Sequence, residues 1–189
     1  MKKFLFLFVI IALTVPVYSQ DFRFILNAGS VGLGGNFPLK GDYDLEGSFS
    51  LINFGIEERN TNIGVEINPF KTFLWDNGYE SEYLPLSLLN LHFYWNVLSY
   101  DFSISNIYFG PFASINYFFI EEEILWDRYI FSAGLQMGFR YSIGKFNYNI
   151  FSCELGYRLI DGSSRYYISA KVDLIVFLIM ALYANVFYY

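Results

Sequence analysis

The sequence predicts an all-β fold, an eight-stranded antiparallel up-and-down transmembrane β-barrel. Three observations lead to this prediction. After residue 21, large apolar residues alternate with small or polar ones along most of the chain, which is the two-residue period of a strand. The connections between the predicted strands alternate between short and long. Aromatic residues crowd the strand ends, as they do in barrels that cross a bilayer.

The first residues of the chain have the layout of an export signal. Lys2 and Lys3 precede an almost unbroken apolar stretch, 4–15, which Pro16 ends, and the small residue Ser19 lies just before Gln20. That arrangement is typical of a secretory signal peptide. We therefore expect residues 1–19 to be a cleaved signal peptide and residues 20–189 to form an outer-membrane β-barrel domain. Outer-membrane lipids and the outer-membrane assembly machinery are the partners that this location implies.

Composition separates the chain from ordinary soluble domains. Aromatic residues make up 22% and charged residues only 16% of the chain, against about a quarter charged in soluble domains. Beyond the signal no run of 18 or more residues is wholly apolar, so a spanning body must be a closed barrel and not helices. The net charge is −6, or about −8 without Lys2 and Lys3, which argues against a nucleic-acid partner. Cys153 is the only cysteine, so no internal disulfide is expected.

The alternation is clearest from Tyr129 to Tyr141, where large apolar residues share one face and small or polar residues the other. Phase changes near Ile52, near Leu88 and at Ile150 predict β-bulges, in which one extra residue shifts the facing. Strands are predicted at 22–34, 43–56, 61–73, 83–96, 101–118, 128–142, 145–159 and 165–177.

The connections fix the predicted orientation. In outer-membrane barrels the periplasmic turns are short and the external loops are long. The observed alternation therefore places the N-terminus in the periplasm. Short turns are predicted at Glu58–Asn60, Leu98–Tyr100 and Ile143–Gly144, long loops at Gly35–Asp42, Leu74–Glu82 and Phe119–Asp127, and a modest loop at Ile160–Ser164.

The face opposite the large apolar one is predicted to line the barrel interior. An eight-stranded barrel is just wide enough for side chains to fill. Buried charges are costly unless they are paired, and the inferred inward set is balanced, with four charges of each sign. We therefore expect a narrow interior that its own charges plug. The predicted interior charge network is Arg23, Glu46, Glu66, Arg140, Glu154, Arg158, Lys171 and Asp173.

Residues that could carry chemistry are few. His92 is the single histidine and is expected to be a satisfied interior or edge residue, so no catalytic or cofactor-binding group and no cofactor are predicted. Glu121-Glu122-Glu123 with Asp127 has oxygen ligands for Ca²⁺, but a solvated loop is the favoured interpretation, and no metal site is predicted. The apolar segment after Asp173 is longer than one membrane strand needs and could be strand, helix or a folded-back segment.

The whole mature chain resembles the small OmpA- and OmpX-type outer-membrane β-barrel proteins in its signal peptide, strand count, loop alternation and terminal aromatics, Tyr183, Phe187 and Tyr189. The resemblance implies a monomer in the outer membrane that has a structural or surface-interaction role and no catalysis, with the acidic loops as the contact face for an external ligand. Three alternatives remain open: a small pore or carrier of apolar ligands, a membrane-embedded lipid-modifying enzyme, and a soluble periplasmic lipocalin-like barrel.

Overall fold

The computed structural model describes residues 21–38, 43–69, 71–76, 81–118, 128–143, 145–160, 163–175 and 178. The predicted signal peptide, the acidic segment 121–127 and the C-terminal aromatics lie outside these residues. The described residues contain the strand segments β1 (Phe22–Pro38), β2 (Asp44–Glu58), β3 (Ile63–Asn68), β4 (Lys71–Asp76), β5 (Ser81–Trp95), β6 (Leu98–Phe102), β7 (Ser105–Phe118), β8 (Arg128–Ile143), β9 (Phe146–Ile160) and β10 (Ser163–Asp173).

The ten described segments form the eight strands of one closed sheet. We call each of these barrel strands a stave, because some of them consist of two segments. β3 and β4 share the same two neighbours, β2 and β5, so they are one stave interrupted around Pro69. β5 and β6 both pair with β7 and form a second interrupted stave. Each stave pairs antiparallel with the next along the chain, and β10 returns to pair with β1 from Ser30 to Pro38. The predicted eight-stranded antiparallel up-and-down barrel is confirmed at the level of fold.

Two of the predicted bulges coincide with irregularities in the ladders. The β5–β7 register shifts between Ser87 and Leu89. The β8–β9 register shifts so that Phe139 faces Phe151 while Arg140 faces Asn149, which leaves Ile150 as the extra residue. Near Ile52, the facing of β2 changes opposite Gly29, whose φ of 68° lies in the left-handed region that glycine adopts without strain.

Several predicted boundaries were wrong. The turn predicted at Leu98–Tyr100 lies instead at residues 103–104, where Ser103 has φ 47°. The fourth stave therefore runs on to Phe102, because all five residues of β6 pair with β7. The first and second long loops are reduced to 39–43 and 77–80, because β1, β4 and β5 extend into them. The last strand ends at Asp173 and not at 177, and Leu174 and Ile175 are helical.

The polarity of the barrel is inverted relative to a soluble protein. Among the described residues, thirty large hydrophobic side chains are exposed and only seven are buried, whereas twenty buried residues are polar or charged. On β8, for example, Phe131, Leu135 and Met137 face outward while Gln136 and Arg140 are buried. The large apolar face is therefore the outer face, as the sequence predicts.

Candidate functional site

The candidate site is the polar interior, which we describe from one end to the other. The turn side is the end that carries the turns at 59–62 and 103–104, and the loop side is the opposite end. Because side chains on a strand alternate, each stave contributes a row of inward residues from the turn side to the loop side. Charged residues on staves that are not neighbours meet across the lumen.

Arg140 on β8 is the centre of the turn-side network. Its guanidinium is 1% exposed and lies 2.6 Å from Glu57 Oε2 and 3.8 Å from Glu66 Oε1. Its Nε donates to Asn149 Oδ1 at 2.6 Å. The guanidinium also lies 4.0 Å from the centre of the Tyr108 ring, where the negative face of the ring attracts the cation.

Small residues make room for this cluster. A Cβ on Gly138 would collide with the hydroxyl of Tyr108, and a Cβ on Gly64 would collide with the ring of Tyr94. The guanidinium of Arg140 lies 5.2 Å from the Tyr94 ring centre. The two glycines therefore let Tyr94 and Tyr108 approach the barrel wall, where both rings pack against the Arg140 guanidinium.

Glu57 extends the turn-side network toward the rim in one direction and toward the middle of the lumen in the other. Arg23 lies 3.7 Å from Glu57 and 2.9 Å from the exposed carboxylate of Asp101. Asn96 donates to Glu57 Oε2 at 3.0 Å and accepts from Gln136 at 3.1 Å. This side of the lumen is thus crossed by one continuous hydrogen-bonded network, in which partners polarise and rigidify one another.

Arg158 on β9 is the centre of the loop-side network. It is ion-paired with Glu46 on β2 and donates to Asn36 and Ser132, each at 3.2 Å. Its guanidinium lies 3.9 Å from the centre of the Tyr167 ring. Nearer the rim, Arg165 and Asp44 form a further ion pair, which is part-buried.

A third group of charges lies between the two arginines. Lys171 on β10 pairs with Glu154 on β9, and the Tyr167 hydroxyl donates to the same carboxylate at 3.2 Å. Asp173 accepts a hydrogen bond from the backbone amide of Ala28 at 2.8 Å. Glu154 and Asp173 are 7% and 3% exposed, so this group belongs to the interior and not to the rim.

A cavity of about 80 Å³ occupies the middle of the lumen. One water needs roughly 10–15 Å³ of space that its centre can occupy, so the chamber has room for several water molecules. Its lining is mostly polar and includes Lys71, His92, Asn90, Glu154, Lys171 and Asp173. His92 Nε2 lies 2.8 Å from Gln136 Oε1, and its ring stacks on Phe112 at 5.0 Å. The histidine is therefore an interior residue with polar and aromatic partners, as the sequence suggested.

The structure places all eight residues of the predicted network on the inner face, but in two separate clusters and a third group that contains Lys171, Glu154 and Asp173. Arg140 and Glu66 lie in the turn-side cluster with Arg23 near its rim, and Arg158 and Glu46 form the loop-side cluster.

Sequence reasoning missed Glu57 and Lys71, which are 1% and 9% exposed. The predicted second strand ends at 56, which is wrong, because β2 continues to Glu58 and carries Glu57 into the interior. The period-two series Asn53, Gly55, Glu57 opposite Phe54 and Ile56 is the signal that places it inside.

The described residues hold no group of three His, Cys, Asp or Glu side chains that could bind a metal ion. In the described part of the chain no helix has both the length and the apolar character to cross a membrane. The described interior holds paired charges and amides that are hydrogen-bonded to one another.

Comparison with known proteins gave structural matches only. No protein-family profile and no curated protein matches the chain. The chain is similar to the crystal structure of Neisserial surface protein A (NspA), with 12% identity, a TM-score of 0.39 and coverage of 82% of this chain and 98% of that one.

The outer membrane protein Ail of Yersinia pestis in a phospholipid bilayer nanodisc matches at 13% identity and a TM-score of 0.25, covering 77% of this chain and 98% of that one. Ail crystallised with the heparin analogue sucrose octasulfate matches at 9% identity and a TM-score of 0.22, covering 81% and 99%.

Proposed function

We propose that this chain is an exported outer-membrane β-barrel with a structural or surface-interaction role, an interior closed to solutes larger than water, and no catalytic activity. The observation that carries the proposal is the inverted polarity of the barrel. Exposed Phe131, Leu135 and Leu155 suit lipid and not water. Arg140, Arg158 and Glu57, by contrast, are buried inside the barrel. Soluble proteins rarely expose apolar patches beyond a few hundred Å².

The closed interior is supported by the two arginine networks. Arg140 with Glu57, and Arg158 with Glu46, each join strands from different sides of the lumen, one pair on either side of the chamber. Opening an axial path would separate buried opposite charges, at a cost of several kcal/mol for each pair. A pore is therefore the weaker alternative.

A lipid-modifying enzyme is also weaker, because among the described residues His92 is hydrogen-bonded to no serine, threonine or cysteine. Its Nε2 faces the amide of Gln136 and its ring packs on Phe112. A soluble lipocalin-like barrel would need an apolar lining, whereas the chamber is lined by amides, hydroxyls and charges. The contact face for an outside ligand is proposed at the loop side, where the acidic segment 121–127 connects β7 and β8.

Membrane location is tested by fractionation followed by a gel of boiled and unboiled samples. We expect the full chain to be recovered in the outer-membrane fraction and its unboiled form to migrate differently from its boiled form. Recovery in the soluble periplasmic fraction would overturn the proposal. Closure is tested separately in planar bilayers, where we expect no steady conductance from the purified barrel, and a stable ohmic channel would favour the pore.

A further inference from the structure

The first and last staves of the barrel do not pair along their full length. On the loop side, β1 pairs antiparallel with β10 from Ser30 to Pro38. On the turn side, β10 has already ended, and Phe24 and Ile25 of β1 pair in parallel with Phe146 and Asn147 of β9. The amide of Phe24 donates to the carbonyl of Lys145 at 2.7 Å. We call this junction of β1 with β9 and β10 the seam.

Between these two pairings, side chains replace the backbone ladder. The amide of Ala28 donates to a carboxylate oxygen of Asp173 at 2.8 Å, and the amide of Asn149 donates to the side-chain oxygen of Asn27 at 2.7 Å. Gly29 lies beside these contacts with φ 68°, so the β1 backbone is bent away from strand geometry at this point. Two side-chain oxygens thus satisfy amides that strand carbonyls would bind elsewhere in the wall.

The sequence explains why β10 ends here. Tyr167, Ser169 and Asp173 point inward, so one more pair of strand residues would place Ile175 in the polar lumen beside Asn27 and Asn149. The chain instead turns helical at Leu174 and Ile175, and both side chains are exposed, at 45% and 46%. Burying an isoleucine among unpaired amides would leave polar groups without partners, which is costly.

The central chamber extends to this seam. Asn27, Asn149, Ile150, Val172 and Asp173 all contribute to its lining. Along the axis the chamber is bounded by the Arg140 and Arg158 networks, whereas among the described residues the seam is closed by side-chain hydrogen bonds and by the Ile175 side chain, which lies against Gly29. We propose that the chamber communicates with the surrounding membrane laterally, through transient opening of the seam, and not along the barrel axis. This proposal rests on the outer-membrane location proposed above.

Amide hydrogen exchange tests the weakness of the seam. Local openings range from almost no free-energy cost up to the full stability of the protein, so weakly held amides exchange first. We expect the amides of Ala28 and Asn149 to exchange at least about tenfold faster than those of Ala113 and Ala133, which lie opposite each other in the continuous β7–β8 ladder. Equal protection at the two places would overturn the proposal.

The route by which a small molecule reaches the chamber is tested with cross-linked variants in lipid nanodiscs, after Cys153→Ser removes the native thiol. Ser114→Cys places a reporter thiol in the chamber on β7, away from the seam. A disulfide from Phe24→Cys with Phe146→Cys locks the seam, since these residues are register partners. Leu135→Cys with Leu155→Cys locks the β8–β9 ladder as the matched control.

N-ethylmaleimide, a small membrane-permeant thiol reagent, is the probe. We expect the seam lock to slow labelling of the reporter by about tenfold or more and the control lock to change it by less than about twofold. Equal slowing by both locks, or no slowing by either, would refute lateral access. Exchange and labelling can be repeated in detergent micelles, so a failed seam is distinguishable from a failed membrane location, which fractionation decides.

Discussion

Replacing Arg140 with methionine removes the central cation of the turn-side network while keeping an apolar side chain of similar length. The arginine is 1% exposed and is held by Glu57 at 2.6 Å, by Asn149 at 2.6 Å and by the face of Tyr108 at 4.0 Å. Without it, Glu57 keeps Asn96 at 3.0 Å and Arg23 at 3.7 Å. The Glu57 carboxylate therefore loses its strongest partner but keeps two weaker ones.

Breaking a buried ion pair from one side costs about 3–5 kcal/mol, because an uncompensated charge remains. The partners that Glu57 retains place Arg140→Met at the lower end, about 3 kcal/mol of unfolding free energy. Combining it with Glu57→Gln removes the stranded charge, so the double variant should be more stable than the sum of the two single changes by about 2 kcal/mol.

The assay is urea unfolding in lipid vesicles followed by tryptophan fluorescence and by the shift between folded and unfolded bands on a gel. Arg59→Met is the matched control, because Arg59 is exposed in the turn after β2, and we expect it to stay within about 0.5 kcal/mol of the parent. A loss below about 0.5 kcal/mol for Arg140→Met would refute the reasoning, since it would mean that the network contributes no net stability.

Three further changes test other parts of the barrel. Leu135→Arg, at the middle of β8 on the outer face, should destabilise the barrel in lipid by about 2–4 kcal/mol, and Tyr129→Arg at the loop-side end of the same strand by about 1 kcal/mol or less; equal costs would argue against a bilayer around the barrel. Gly138→Ala should cost about 1–3 kcal/mol because its Cβ meets Tyr108, whereas a neutral result would show that the tyrosine moves freely. Arg140→Ala combined with Arg158→Ala should raise single-channel conductance in planar bilayers above the parent baseline, and an unchanged baseline would place the axial barrier elsewhere.

Much of the fold could be predicted because the two-residue period is a local property. On β8 the apolar residues Phe131, Leu135 and Met137 are read directly from the sequence and are exposed. The bulge at Ile150 was also visible as a change of phase. The ends of the strands could not be predicted, because pairing with a neighbouring strand extended β1 and β6 through residues that alone favour a turn. The turn at Ser103 lies at the end of the β6–β7 pairing, which the sequence pattern does not show.

The interior could be predicted in its composition but not in its connections. Periodicity assigns Arg140 and Arg158 to the inner face, yet which acid each one binds depends on the tilt and stagger of the staves. Glu46 and Glu57 both lie on β2, and each pairs with an arginine on a non-neighbouring strand. A sequence-based interpretation has no access to that distance across the lumen. The seam was missed for the same reason, since it arises where β9 and β1 meet around the end of β10.

The ionic interior also bears on how the barrel reaches one register. A slip of one residue would turn every inward side chain outward, and a slip of two would keep the facing but move every residue along the axis. Backbone ladders alone discriminate weakly against the second slip. The Arg158–Glu46 and Arg140–Glu57 pairs connect β9 and β8 with β2 across the lumen, and a two-residue slip would separate both pairs at once. Since a buried charge without its partner is costly, the two networks penalise the displaced arrangements more than they stabilise the native one. The contacts at the seam differ in kind, because the bonds from Ala28 to Asp173 and from Asn149 to Asn27 join strands that meet in the wall and do not cross the lumen.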